Sequence, residues 1–424
     1  MKFTKAIAAL IAFGMIWALS GCVDTIDTGT GRDETPSSEP ASAPQSSDVP
    51  VGADTSESGS EADGRITFAC AGDNIIHESL FVQAAAEAAS AGNSEKYYEF
   101  DSMYDDEVRK LISGADIAFV NQEGPIAGLA PSGYPNFNAP AEAGDALVDL
   151  GFDIVNVANN HMLDMEYSTT GYENTIKFWK SRNVLTVGGY ENQADYDNIR
   201  HIEREGIKIA VLSYTYGTNG NSVNSASAAV VPLIDDARIT SQIEKAKQDS
   251  DLVMVSMHWG DENVQQVSAD QRRLAKLIAD AGADVVIGHH PHILQPIEWT
   301  LGKGGNNTLV IYSLGNFISS QLYAKNLVGG IVTFDIVKKP GADHAYVENV
   351  MMNPTVTDYL STSEAFDSLG LEKRYNVHVY MMKDYTAGQA AMHGAHTWDN
   401  FDLQTMKSYV TGAIQAEFLP DYMK

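Results

Sequence analysis

From Arg65 onward the sequence alternates short runs rich in Val and Ile with stretches at helical spacing, and the runs keep ending in the same few polar residues. Arg65–Ala71, Ile117–Asn121, Ile154–Val157, Ile207–Ser213, Leu252–His258, Val285–Gly288 and Leu309–Ser313 read as buried strands. Glu78–Ala91, Tyr104–Ile112, Ala141–Leu150, Thr169–Arg182, Asp235–Gln248 and Ser268–Ala281 read as the helices between them. Gly330–Val337, Ala345–Met351 and Val377–Met382 read as further strands, and Asp402–Phe418 as a last helix. Strand–helix alternation of this kind predicts an α/β sandwich or layered sheet rather than an all-β fold. Just past the strand ends stand Asp73 and His77, Glu123, Asn160 and His161, His258, and His290 with His292. Loops at the carboxyl ends of strands bring distant residues together in such folds, so these side chains are candidates for one site.

Charge narrows the function. The chain of 424 residues carries a net charge of −28. With +2 in Met1–Cys22 and −9 in Val23–Asp63, the stretch Gly64–Lys424 holds the remaining −21. Nucleic-acid binders need clustered Lys and Arg to displace phosphate counterions, so no nucleic-acid partner is expected. An anionic substrate would need a locally positive site in so acidic a body, which bound metal ions would supply.

The amino terminus reads as an export signal. Lys2 and Lys5 precede an apolar stretch, Ala6–Ala18, too short for a comfortable membrane span, and it ends in Leu19-Ser20-Gly21-Cys22. That ending resembles a bacterial lipobox, which implies cleavage before Cys22 and lipidation of its thiol. A plain signal peptide or an uncleaved anchor is the alternative. Residues 23–64 are rich in Ser, Pro and acids with almost no large apolar side chains, the composition of a disordered tether. With Cys22 lipidated, the second cysteine, Cys70, has no disulfide partner and reads as a small buried residue.

The candidate site is built from separate motifs. In Gly72-Asp73-Asn74-Ile75-Ile76-His77 the carboxylate is a natural hard ligand and His77 adds a nitrogen; the alternative is that Asp73 caps the next helix and His77 lies on the surface. Glu123, in Asn121-Gln122-Glu123-Gly124-Pro125, sits where a carboxylate can bridge two cations, with Asn121 as a hydrogen-bond partner. In Asn159-Asn160-His161-Met162-Leu163-Asp164 an amide oxygen, Asn160, can ligate while His161 stays free for acid–base work, oriented by Asp164; a polar turn with a capping Asn is the bland reading. His258 begins His258-Trp259-Gly260-Asp261-Glu262, and Gly288-His289-His290-Pro291-His292 places three His within four positions. Neutral imidazoles suit first-row metals, and His290 and His292 can reach two adjacent ions from one loop. If both point inward, His289 points away. Asn316, in Ile311–Phe317, reads as a substrate contact, as do Asn121 and Glu262. Met351-Met352 and Met381-Met382 read as core filling, and His393 with His396 as a solvated loop.

Taken in order, the Gly72-Asp73, Asn121–Pro125, Ala158–Asp164, His258–Glu262, Gly288–His292 and Tyr312–Phe317 motifs resemble those of the CapA family of poly-γ-glutamate capsule biosynthesis. That family is similar to the calcineurin-like metallophosphoesterases. The resemblance runs from about Arg65 to about Val337 and implies a layered α/β/β/α sandwich of the metallophosphoesterase type over residues 65–340, with 341–424 as a C-terminal extension packed on it. It also implies two divalent metal ions, Mn, Fe or Zn, with Asp73, His292 and His77 at one, Asn160, His258 and His290 at the other, and Glu123 bridging. Asp73 and His77 stand four residues apart, not two as in ordinary metallophosphoesterases. The implied activity is hydrolysis of a phosphoester or envelope polymer, with His161 and Asp164 catalytic, by a protein lipid-anchored through Cys22 on the extracellular face of the cell membrane. The alternative is a non-catalytic component that binds the anionic polymer or other capsule synthesis proteins.

Overall fold

The computed structural model describes residues 63–92, 96–165 and 170–424. The signal, Cys22 and nearly all of the expected tether lie outside them. Two sheets organise these residues. The first contains β1 (Gly64–Ile75), β2 (Ile117–Glu123), β3 (Ile154–Asn156) and β4 (Leu185–Val187), side by side and parallel. The second contains β5 (Arg200–Arg204), β6 (Ile207–Thr215), β7 (Leu252–His258), β8 (Val285–His289), β9 (Ile297–Leu301) and β10 (Asn307–Ile311). There β6, β7, β8 and β10 are parallel, with β5 and β9 antiparallel at the two edges. The first sheet continues through β11 (Asn316–Ile318), β12 (Val328–Lys338), β13 (Tyr346–Phe366) and β14 (Glu372–Met381), in the order β14-β13-β12-β1-β2-β3-β4, with β11 beside the end of β1. The helices are α1 (Glu78–Ala91), α2 (Asp106–Ser113), α3 (Ala141–Leu150), α4 (Gly171–Lys180), α5 (Gln193–Asp197), α6 (Asp236–Ala246), α7 (Ala269–Ala281), α8 (Ala387–Met392) and α9 (Leu403–Ala413). Among the described residues no helix is long and apolar enough to cross a membrane.

The side-chain alternation of β6 and β7 explains the layering. Ile209, Val211 and Met254 face the first sheet and share a core with Phe68, Phe119 and Val155, while Ala210, Leu212, Val253 and Val255 face Ile239, Ile243, Leu274 and Ile278 of α6 and α7. On the first sheet Leu80, Val108, Ile112 and Leu147 of α1, α2 and α3 join the same core. The result is the expected layered α/β/β/α arrangement. Contacts across the sheets are direct: the Phe119 ring stacks on His289 at 5.6 Å between centroids, and Ser213 of β6 donates to Asn156 of β3.

A recurring aspartate sets the strand register. Asp116, Asp153, Asp251 and Asp284 each stand one residue before a parallel strand. Each accepts from a backbone N–H of the neighbouring strand, respectively Thr67 at 2.7 Å, Ala118 at 2.9 Å, Lys208 at 2.8 Å and Val253 at 2.8 Å. Each returns its own N–H to the carbonyl of that same residue, at 2.8–3.0 Å. A one-residue slip would break both bonds of a clamp and turn every side chain to the wrong face. Registering the strands at their amino ends brings their carboxyl ends out together, at the opposite pole.

Two glycines allow that pole to close. A Cβ on Gly72 would stand 2.0 Å from the carbonyl oxygen of Gly315, and one on Gly288 2.0 Å from that of Tyr312. Without those side chains β11 lies against the end of β1, pairing Asp73 with Asn316.

Candidate metal centre

Both sheets deliver their polar residues to this rim: Asp73 from the bulged end of β1, Glu123 from β2, Asn160 and His161 after β3, His258 from β7, and His289, His290 and His292 from β8 and its loop. Asp73, Glu123 and His258 offer donor atoms all within 4.8 Å of one another. So do Glu262, His290 and His292. Nε2 of His258 lies 2.8 Å from Oδ1 of Asn160, and Nε2 of His292 lies 3.6 Å from Oε1 of Glu123. The residues read from the sequence as ligands therefore converge, His77 excepted. It lies beside the centre but belongs to neither donor group; its Nδ1 accepts from the Ser320 N–H at 3.3 Å and its ring meets Phe137 edge-on.

These side chains fit cations better than they fit each other. Both Glu123 carboxylate oxygens are buried without a hydrogen-bond partner, and so are Nδ1 of His258 and Nδ1 of His290. Buried polar groups left unpaired are costly, and several in one cluster point to a missing charge. The electrostatics agree. Burial drives the Glu123 carboxyl well above its usual range, with the nearby Asp73 carboxylate adding to the rise. Burial, with the His290 charge added, pushes His258 well below the usual imidazole range, and burial brings His290 down to about 3. His258 and His290 are thus held as neutral imidazoles, the form that binds metal. Burial opposes the charged form of Asp73, yet contacts with His289 and His292 hold its carboxyl well below the ordinary range. His292 is raised to about 9, Glu123 and Asp73 together overcoming its burial.

Supporting residues lock this arrangement. Asn121 donates to Oδ1 of Asp73 at 2.7 Å and accepts from Asn156 at 2.8 Å. Asn316 lies 3.1 Å from Nδ1 of His292 through its Oδ1, and its amide donates to Ser319, Gln321 and the Asn326 carbonyl. Both were expected to contact substrate. Both are buried, Asn121 bonded to Asp73 and Asn316 beside His292. His289 also departs from expectation, its Nδ1 lying 3.3 Å from Asp73 rather than turned away. Strict alternation fails there because His290 and His292 take left-handed φ of +96° and +57°. Asn159 went unread in the sequence: it ties Gln122, Gly124 and His161 together.

His161 and Asp164 form a separate pair. Nδ1 of His161 lies 2.7 Å from Oδ2 of Asp164, which also accepts from the Phe137 N–H at 2.8 Å. The Phe137 ring meets His161 edge-on at 4.8 Å between centroids. Nδ1 is thereby engaged, which leaves Nε2 for proton transfer.

Fold and centre together define a two-sheet α/β protein with a candidate metal-binding cluster at the carboxyl ends of its strands. The chain belongs to the bacterial capsule synthesis protein family PGA_cap, whose profile matches residues 67–321. It is 34% identical over 205 residues to the capsule biosynthesis protein CapA of Bacillus anthracis, covering 47% of this chain and 48% of that protein. To the PGA biosynthesis protein CapA of Bacillus subtilis (strain 168) it is 34% identical over 199 residues, covering 46% and 50%. The chain spans about half the length of the curated relatives it matches. Among solved structures it is similar to the calcineurin-like phosphoesterase YfkN from Bacillus subtilis, at 11% identity and a TM-score of 0.35 over 69% of this chain and 91% of that one. It is also similar to the NAD nucleotidase NadN of Haemophilus influenzae, at 11% identity and a TM-score of 0.41 over 85% and 65%.

Proposed function

We propose that this protein is a metal-dependent hydrolase of the phosphoesterase type acting in capsule or envelope polymer biosynthesis, with a phosphoester or anionic polymer as substrate. The observation that carries this reading is the Glu123 carboxylate, buried with both oxygens unpaired among Asp73, His258 and His292. Two divalent cations bound there would supply hydroxide at neutral pH and polarise the bond under attack. Asp73 and His292 would hold one, Asn160, His258 and His290 the other, and Glu123 both. Mixed nitrogen and oxygen donors suit Mn, Fe or Zn better than Mg. His161 would act as general acid: as imidazolium it donates Nδ1–H to Asp164 and carries on Nε2 the proton for the departing oxygen. Such a proton transfer contributes typically about 10²–10⁴-fold.

The capsule assignment follows the Bacillus relatives, which are capsule and PGA biosynthesis proteins, and partner proteins of capsule synthesis belong to the same proposal. We place the protein outside the cell membrane, anchored through a lipid on Cys22; Cys22→Ser should release it, and retention would refute the anchor. Metal analysis of the purified protein should find two transition-metal ions per chain. His161→Ala should abolish hydrolysis of a generic phosphodiester with metal content unchanged. A protein that holds no metal, or a variant of undiminished activity, would refute the hydrolase reading. A binding or scaffolding component of the capsule machinery would then remain.

A further inference from the structure

The loop after β7 carries a carboxylate that the ligand set above does not use. Glu262 is exposed, yet it offers an oxygen that lies, with ring nitrogens of His290 and His292, in a group whose members are all within 4.8 Å of one another. Its place is built. Gly260 and Asn263, on either side of it, take left-handed φ of +83° and +63°, which turns the loop back over the centre. The Asn263 N–H donates to the Pro291 carbonyl at 2.9 Å. Asn326 donates to Asn263 at 2.6 Å and to the His292 carbonyl at 3.4 Å. The loop bearing Glu262 is thus pinned to the loop bearing both imidazoles.

Exposure sets Glu262 apart from the other donors. Asp73, Glu123, Asn160, His258, His290 and His292 are each 3% exposed or less. Any of those leaving a cation would strand a buried polar group. Glu262 can let go into water. We propose that Glu262 is a ligand of the metal centre on its solvent side, beside His290 and His292, and that it is the ligand an incoming substrate oxygen displaces. This rests on the metal-centre reading above. It implies a substrate that approaches with an anionic oxygen able to take the place of a carboxylate.

The test uses the full-length protein stripped with a chelator and titrated with Mn²⁺ by calorimetry. Wild type should take up two ions. Glu262→Gln should weaken one of the two by at least about tenfold. Asp261→Asn, the exposed neighbour, should leave both affinities unchanged. Wild-type affinities in Glu262→Gln would overturn the proposal, as would an equal loss in Asp261→Asn, which would mark general loop charge. On the Mn²⁺-loaded proteins, inorganic phosphate should bind Glu262→Ala several-fold more tightly than wild type. Equal or weaker binding would refute displacement. Failure of wild type to bind Mn²⁺ would sink the metal centre itself, an outcome distinct from failure of Glu262 alone.

Discussion

Replacing Glu123 by Leu should stabilise the metal-free protein while abolishing its response to metal. The carboxylate is 1% exposed, with neither oxygen hydrogen-bonded and His292 Nε2 3.6 Å away. A buried polar group without a partner costs about 1–3 kcal/mol, and a charged one more. Leu is apolar and close in size, so the chelated variant should gain about 1–3 kcal/mol over chelated wild type in urea unfolding at pH 7. Metal should reverse the order. A ligand present at 100 times its Kd stabilises the folded state by about 2.7 kcal/mol per site, and the variant should lose most of that. Protonation gives a second signature. Burial raises the folded Glu123 carboxyl well above its unfolded value of about 4.3. Its contribution to stability is therefore present below about pH 4.3 and lost as pH rises toward the folded value, by up to about 1.4 kcal/mol per pH unit. Glu123→Leu removes that slope. If the chelated variant unfolds more easily than wild type by over about 1 kcal/mol, or gains equally from metal, the centre is not built as argued.

Asp164→Asn should keep metal content intact and lower phosphodiester hydrolysis by about tenfold or more, because the imidazolium of His161 loses its carboxylate partner; unchanged turnover would remove the pair from the chemistry. Gly288→Ala should lower stability by about 1–3 kcal/mol or more in urea unfolding, since the added Cβ would meet the Tyr312 carbonyl at 2.0 Å. Gly217→Ala, in open space, should be neutral; equal effects would contradict the close approach. His393 accepts the Ala395 N–H on Nδ1, stacks on Phe401 and is pushed by burial down to about 4. Its folded value lies below the unfolded one of about 6.5, so the stability of the neutral form is present above 6.5 and lost as pH falls toward 4. The stability difference between wild type and His393→Gln should then shrink by about 2 kcal/mol from pH 7 to pH 5, and a constant difference would refute it.

Local patterns made most of the fold legible. β7, α1 and α3 occupy the stretches expected for them, because a β-branched run or an apolar helical stripe marks its own limits. The three-residue strands β4 and β11 and the edge strands β5 and β9 did not stand out: such segments carry too few residues, or too exposed a face, for a pattern. β13 runs to Phe366, far past the expected Met351, because pairing with β14 extends it through a stretch rich in Thr and Ser. The donors were readable from their residue types. The shell behind them was so only in part: Asn121 stood out beside Glu123, but Asn156 and Ser213 look like ordinary polar residues until two sheets bring them into one chain of hydrogen bonds ending on Asp73. His393 was expected in a solvated loop and is buried, because Thr357 and Tyr359 of β13, distant in sequence, and the Phe401 ring pack against it.

The direction of β1 has a consequence for access. The strand enters the folded body at Gly64 and reaches Asp73 nine residues later, about 30 Å away at roughly 3.3 Å per residue. The point where the chain enters the folded body and the metal centre therefore lie at opposite ends of β1. If the protein is the anchored hydrolase proposed above, its substrate would be taken up on the side away from the anchor.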